Sequence, residues 1–82
     1  MANVVIYSTP TCAFCKIAKE YFTENKVKYT EHDVAADQEK AQEMINKSGQ
    51  MGVPVILITP ENGEEQMVIG FDKEKIASLL GL

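Results

Sequence analysis

Asn3-Val4-Val5-Ile6-Tyr7-Ser8 is apolar at successive positions and rich in β-branched side chains, the pattern of a strand covered on both faces. Pro10 marks its end. From Phe14 the period changes: Phe14, Ile17, Ala18, Tyr21 and Phe22 share one helical face, with Lys16, Lys19, Glu20 and Glu24 opposite, which predicts a helix over residues 13 to 25. Val27 and Tyr29 then alternate with Lys28 and Thr30, as in a half-exposed edge strand. Asp37 is a candidate N-cap for a second helix with Ala41, Met44 and Ile45 inward and its end at Ser48-Gly49. Val53-Pro54-Val55-Ile56-Leu57-Ile58 is another nearly all-apolar strand, and Glu61-Asn62-Gly63-Glu64 carries the Asn-Gly signal of a tight hairpin leading into Gln66-Met67-Val68-Ile69. Beyond Gly70, the run from Asp72 to Leu80 has acids early and Ile76, Leu79 and Leu80 at helical spacing, which predicts a closing helix.

The predicted order is β-α-β-α-β-β-α. A β-α-β start requires a right-handed parallel crossover, and the later hairpin adds an antiparallel pair to the same sheet. This α/β arrangement, a four-stranded mixed sheet with helices on both faces, resembles the thioredoxin-like fold. With 82 residues, 45% hydrophobic and 24% charged, the chain has room for a single small core, so residues 1–82 are expected to form one domain. Tyr7, Tyr21, Phe22, Tyr29, Met44 and Met67 are expected in or beside that core, and His32 on the surface.

Charge narrows the function. Eight lysines and no arginine face twelve carboxylates, for a net charge of -4, which disfavours nucleic acid or an acidic membrane as partner. The start, Met1-Ala2-Asn3-Val4-Val5-Ile6-Tyr7, lacks a basic segment followed by a long apolar run and a cleavage site, so the expectation is a soluble cytoplasmic protein.

Two cysteines, Cys12 and Cys15, are too few for a disulfide framework, and their close spacing reads as metal or redox chemistry. A strand, a short Pro-containing loop and then Cys12 at a helix start place its sulfur where unpaired N–H groups and the positive end of the helix dipole meet. Such sites bring a thiol from about 8.5 down to between about 3.5 and 7.5. Cys12 is therefore the candidate nucleophile, and Cys15, one turn on and deeper, the resolving thiol. The alternatives are half of a metal site, with His32 the one other soft or imidazole ligand, and an inert pair.

Ser8-Thr9-Pro10-Thr11-Cys12-Ala13-Phe14-Cys15, then Gly49-Gln50-Met51-Gly52-Val53-Pro54, then Ile69-Gly70-Phe71-Asp72 resemble the glutaredoxin family over nearly the whole chain. The resemblance implies a thiol–disulfide oxidoreductase of electron transport and cell redox homeostasis, monomeric, with no bound cofactor and with glutathione as co-substrate. It implies that the Val53–Pro54 bond is cis, that the Val53 backbone pairs with the substrate cysteinyl backbone, and that Gly70 and Asp72 hold the γ-glutamyl end of glutathione. Thr11, Ala13, Phe14, Gln50, Phe71 and Lys73 complete the implied binding groove.

The chain departs from the family pattern at informative places. Thr9 and Met51 stand where many members carry basic residues that grip the glycyl carboxylate, leaving Lys16 and Lys73 as cationic substitutes that lack the arginine fork. Ala13 replaces a frequent proline, a change found in members that share an iron–sulfur cluster between two protomers, which is one alternative. Phe14 replaces a tyrosine and offers either an exposed apolar rim or core packing. The segment Gly70-Phe71-Asp72-Lys73-Glu74-Lys75-Ile76 also resembles small glutaredoxin-like redoxins that serve ribonucleotide reductase and are reduced by thioredoxin reductase, a second alternative.

Overall fold

β1 (Asn3–Ser8) is a central strand of the sheet, with Val4 and Ile6 packed in one apolar cluster and Tyr7 in another. In the computed structural model, which describes residues 2–61 and 63–82, it is followed by α1 (Ala13–Glu24), β2 (Thr30–Asp33), α2 (Gln38–Ser48), β3 (Val55–Thr59), β4 (Gln66–Ile69) and α3 (Lys73–Leu80). The predicted element order is the observed one. The sheet order is β2-β1-β3-β4, with β1 parallel to β2, antiparallel to β3, and β3 antiparallel to β4.

Register explains why the central strands are apolar on both faces. Ile6 lies opposite Ile56 and Ile56 opposite Val68, and with Val4 and Ile58 they bury against Ala18 and Phe22 of α1 and Ile76 of α3. The alternate set, Tyr7, Val55 and Leu57, packs against Met44 of α2. Helices cover both faces, so each central strand needs two apolar faces. The Asp37 side chain accepts from the Lys40 backbone N–H at 3.1 Å, and α2 ends on Gly49 in the left-handed region (φ 74°), a cap geometry that glycine adopts without a Cβ penalty.

Four local expectations need correction. The ladder of β2 begins at Thr30, opposite Val5, and not at Val27. Val27 donates to Phe22 O at 2.8 Å and Lys26 to Thr23 O at 3.1 Å, with Lys26 left-handed (φ 56°), so this stretch is tied to the end of α1 before it can reach β1. Val27 and Tyr29 still pack on the helix side. The β3–β4 connection is longer than a two-residue turn, because the last paired residues are Ile58 and Gln66. Gly63 donates to Pro60 O at 3.3 Å there, while Asn62 lies outside the described residues. On α1, the buried residues are Cys15, Ala18 and Phe22; Phe14 and Ile17 are 62% and 44% exposed, because they flank the face that meets the sheet. His32 is half-buried rather than a free surface residue, its ring centroid 5.4 Å from that of Tyr7.

Candidate thiol site

The site begins where β1 runs out. Ser8 is buried, and its carbonyl accepts from Val34 N at 2.9 Å. The chain then turns through Thr9, Pro10 and Thr11, and Cys12 N donates back to Thr9 O at 3.3 Å. Cys12 has extended backbone angles and is the N-cap of α1; its sulfur accepts from the Cys15 backbone N–H at 3.1 Å. A sulfur in place of the usual cap oxygen therefore receives one of the first-turn donors that a helix cannot satisfy internally. Those donors and the helix dipole favour negative charge on Cys12 when the pair is reduced.

The two sulfurs lie within disulfide-bonding distance, with Cα atoms 5.2 Å apart. They are unequally reachable: Cys12 is half-buried and Cys15 is fully buried in α1. A molecule arriving from solvent meets Cys12 first.

The other segments implied by the resemblance meet through backbone and ring contacts. The Val53–Pro54 bond is cis, with Val53 half-buried and Pro54 buried. The Pro54 carbonyl accepts from Gly70 N at 2.9 Å, which joins the cis segment to the corner before α3. Gly70 is left-handed (φ 78°), a conformation that a side chain would strain. Phe71 lies edge-on to Tyr21 at 5.7 Å, and Lys73 Nζ sits 5.7 Å from the centre of the same ring, within cation–π range. Tyr21 belongs to α1, so this corner is clamped to the helix that carries the cysteines.

Asp72 caps α3, its Oδ1 accepting from Lys75 N at 3.2 Å, and is exposed. Gln50 follows α2 in a turn closed by the Ser48 hydroxyl, which donates to Gln50 O at 3.1 Å and accepts from Gln50 N at 3.2 Å. Thr11, Ala13, Phe14 and Met51 are exposed, Met51 by 79%. The core-packing alternative for Phe14 is thereby set aside.

Two polar clusters nearby were not singled out from sequence. Tyr7 donates to Glu43 at 2.6 Å, and Lys40 Nζ lies 3.5 Å from the same carboxylate oxygen. Burial, reinforced by that carboxylate, pushes the Tyr7 hydroxyl well above its usual range, and the tyrosine bond holds Glu43 below the ordinary carboxylate value. No sequence spacing links these residues. In the second cluster, Ser8 Oγ donates to Glu31 Oε2 at 2.6 Å and Lys19 Nζ donates to the same oxygen at 2.7 Å. The alternation Val27, Tyr29, Glu31 was a usable signal for it, but an acid at the third place breaks the apolar pattern.

The lysine hydrogen bond, then the serine one, lowers the Glu31 carboxyl below its ordinary value of 4.5. A depressed folded value means the stabilisation is present above the ordinary carboxylate range and is lost as pH falls through the lowered value. Glu31→Gln should therefore be less thermostable than the parent at about pH 7, with the difference shrinking as acid protonates the lowered Glu31 carboxyl, as read from thermal unfolding midpoints against pH.

The fold and the site together define a class: a thioredoxin-fold protein with a Cys-x-x-Cys pair opening α1 and a cis-proline segment hydrogen-bonded to the α3 corner. The glutaredoxin of Archaeoglobus fulgidus has the same fold, with a TM-score of 0.78 at 24% identity over 96% of this chain and 86% of that one. The glutaredoxin family model matches residues 4–62. A glutaredoxin-like 8.6 kDa protein encoded in the rubredoxin operon of Clostridium pasteurianum is 39% identical over 77 residues, covering 94% of this chain and 96% of that protein. Glutaredoxin 3 of Escherichia coli K12 is 37% identical over 62 residues, 76% of this chain and 75% of that one. The chain belongs to the glutaredoxin family, and its Cys12–Cys15 pair at disulfide distance supports thiol–disulfide exchange as its chemistry. No helix among the described residues is long and apolar enough to cross a membrane.

Proposed function

We propose that this protein reduces protein disulfides and glutathione mixed disulfides in the cytoplasm by a Cys12/Cys15 dithiol cycle, as a monomer without a bound cofactor and with glutathione as co-substrate. The observation that carries this reading is the asymmetry of the pair: a reachable Cys12 sulfur accepting a helix N–H, backed by a buried Cys15. The Cys12 thiolate attacks one sulfur of a substrate disulfide, forming a mixed disulfide and releasing the other sulfur as a thiolate. Cys15 then gives up its proton and attacks the Cys12 sulfur; the second substrate sulfur leaves as a thiolate and is protonated. The substrate has gained two electrons, and two thiols of glutathione return the Cys12–Cys15 disulfide to the dithiol.

Substrate would lie against the exposed Thr11, Ala13 and Phe14 on the cysteine side and against Gln50, Val53, Pro54, Gly70 and Phe71 on the other. Asp72 uses one carboxylate oxygen as a cap, leaving the second for an ammonium group, and Lys73 supplies a cation beside it. Support for a second reading comes from Thr9 and Met51, since uncharged anchors suit a redoxin reduced by thioredoxin reductase and serving ribonucleotide reductase.

The deciding experiment offers the oxidised protein NADPH with either glutathione and glutathione reductase or thioredoxin reductase. Consumption of NADPH in the glutathione arm is the expected result. Reduction confined to the thioredoxin reductase arm would transfer the assignment to the second reading.

A further inference from the structure

We propose that Glu31 is a positioning residue for the thiol site: its carboxylate fastens the end of β1 to α1 and so holds Cys12 at the mouth of the helix. The inference rests on the reading of Cys12 as the nucleophile.

The geometry is a closed ring of contacts. Lys19 and Ser8 both donate to Glu31 Oε2, at 2.7 and 2.6 Å. Ser8 is followed directly by Thr9, whose carbonyl accepts the Cys12 N–H at 3.3 Å. Cys12 caps α1, and two turns along that helix is Lys19 again. Glu31 is the one member contributed by a third element, β2, and it faces α1 because it is registered opposite Ile6, whose side chain lies in the α1 core.

Ser8 is 1% exposed, so its hydroxyl has little access to water and Glu31 is the acceptor it uses. A hydroxyl at this depth that loses its acceptor drives local rearrangement, and the residues that would move are those leading to Cys12. The stabilisation of a Cys12 thiolate depends on the approach of the Cys15 N–H, 3.1 Å from the sulfur, which this lead-in sets.

The charges around Glu31 matter for the test. Lys16, Lys19, Glu20 and Glu24 of α1 line the groove beside it, and His32 and Asp33 follow it on β2. If Glu31 acted through its own field, removing its charge would favour the Cys12 thiolate; if it acts by reach, charge is secondary.

Two substitutions separate these. Glu31→Asp keeps the charge and shortens the arm by one methylene, whereas Glu31→Gln keeps the arm and an acceptor oxygen but removes the charge. The readout is the rate of iodoacetamide labelling of Cys12 in the reduced protein against pH, with the labelled peptide identified by mass. In the parent, Cys12 should label first, with a midpoint below the free-cysteine value of about 8.5. Glu31→Asp is expected to raise that midpoint by about half a unit, equivalent to about threefold slower labelling at pH values well below the midpoint, while Glu31→Gln stays at the parent value. An unmoved midpoint in Glu31→Asp, or a lowered one in Glu31→Gln, overturns the positioning role and leaves the nucleophile assignment intact. Labelling of Cys15 first, or an ordinary midpoint in the parent itself, overturns the nucleophile assignment and the inference with it.

Discussion

Cys12→Ser is expected to eliminate disulfide exchange of every kind, by on the order of a thousandfold or more, because a serine hydroxyl at the same helix mouth stays protonated and is a poor nucleophile toward sulfur. Cys15→Ser should behave differently. The Cys15 backbone N–H that reaches the Cys12 sulfur is unaffected by a change of side chain, so Cys12 keeps its activating donor. In the proposed dithiol cycle the buried Cys15 sulfur serves to resolve a mixed disulfide from within. The Cys15→Ser protein should therefore retain turnover of glutathione mixed disulfides, where a second glutathione resolves from solvent, and lose two-thiol reduction of protein disulfides. Paired assays with a glutathionylated peptide and a protein disulfide read this division; equal loss in both variants would contradict the unequal roles assigned to the sulfurs.

Phe22→Ala should produce the largest loss of stability among single changes outside the site. Phe22 is fully buried between Ala18 and the sheet residues Ile6, Ile56 and Ile58, with the Tyr29 ring 5.5 Å away. Removing a buried phenylalanine ring costs about 3–5 kcal/mol in transfer and cavity terms. A domain of this length has about 4–12 kcal/mol in total, at 0.05–0.15 kcal/mol per residue. The urea midpoint should fall sharply with an unchanged slope, and α1, which carries both cysteines, should lose its bed. Phe14→Ala on the same helix provides the contrast: at 62% exposure it should alter stability by less than about 0.5 kcal/mol and show its effect in substrate KM. A Phe22→Ala loss below about 1 kcal/mol would be inconsistent with the packing described.

The fold was legible wherever burial on one or two faces leaves a periodic mark. β1 and β3 were readable because each is covered by helices on both sides, so neither could carry a polar stripe. Asp37, Gly49 and Asp72 were readable as helix ends because caps satisfy backbone groups within a few residues and need no distant partner. Local closure also explains why the Cys12–Cys15 pair could be assigned unequal roles: one helical turn determines both the spacing of the sulfurs and which of them is deeper.

Features that depend on contact between segments far apart in the chain escaped that reading. The late start of β2 has a nearer cause that alternation does not encode: the chain leaves α1 at Val27 through a hydrogen bond to Phe22 O, five residues back. Phe14 and Ile17 fit the helical stripe of α1 yet point past the edge of the sheet, since a stripe has width and only the docked sheet decides how much of it is covered. Tyr7 with Glu43, and Ser8 with Glu31 and Lys19, bring together residues from separate elements through single hydrogen bonds. Element order, the two-faced core and the dithiol at a helix mouth are legible from residue order, because each follows from local periodicity and capping. Which flank of α1 stays open, how the Pro54 and Gly70 segments join, and that an acid on β2 accepts the Ser8 hydroxyl at the end of β1 emerge in the folded chain alone, because they depend on register and packing between distant parts of it.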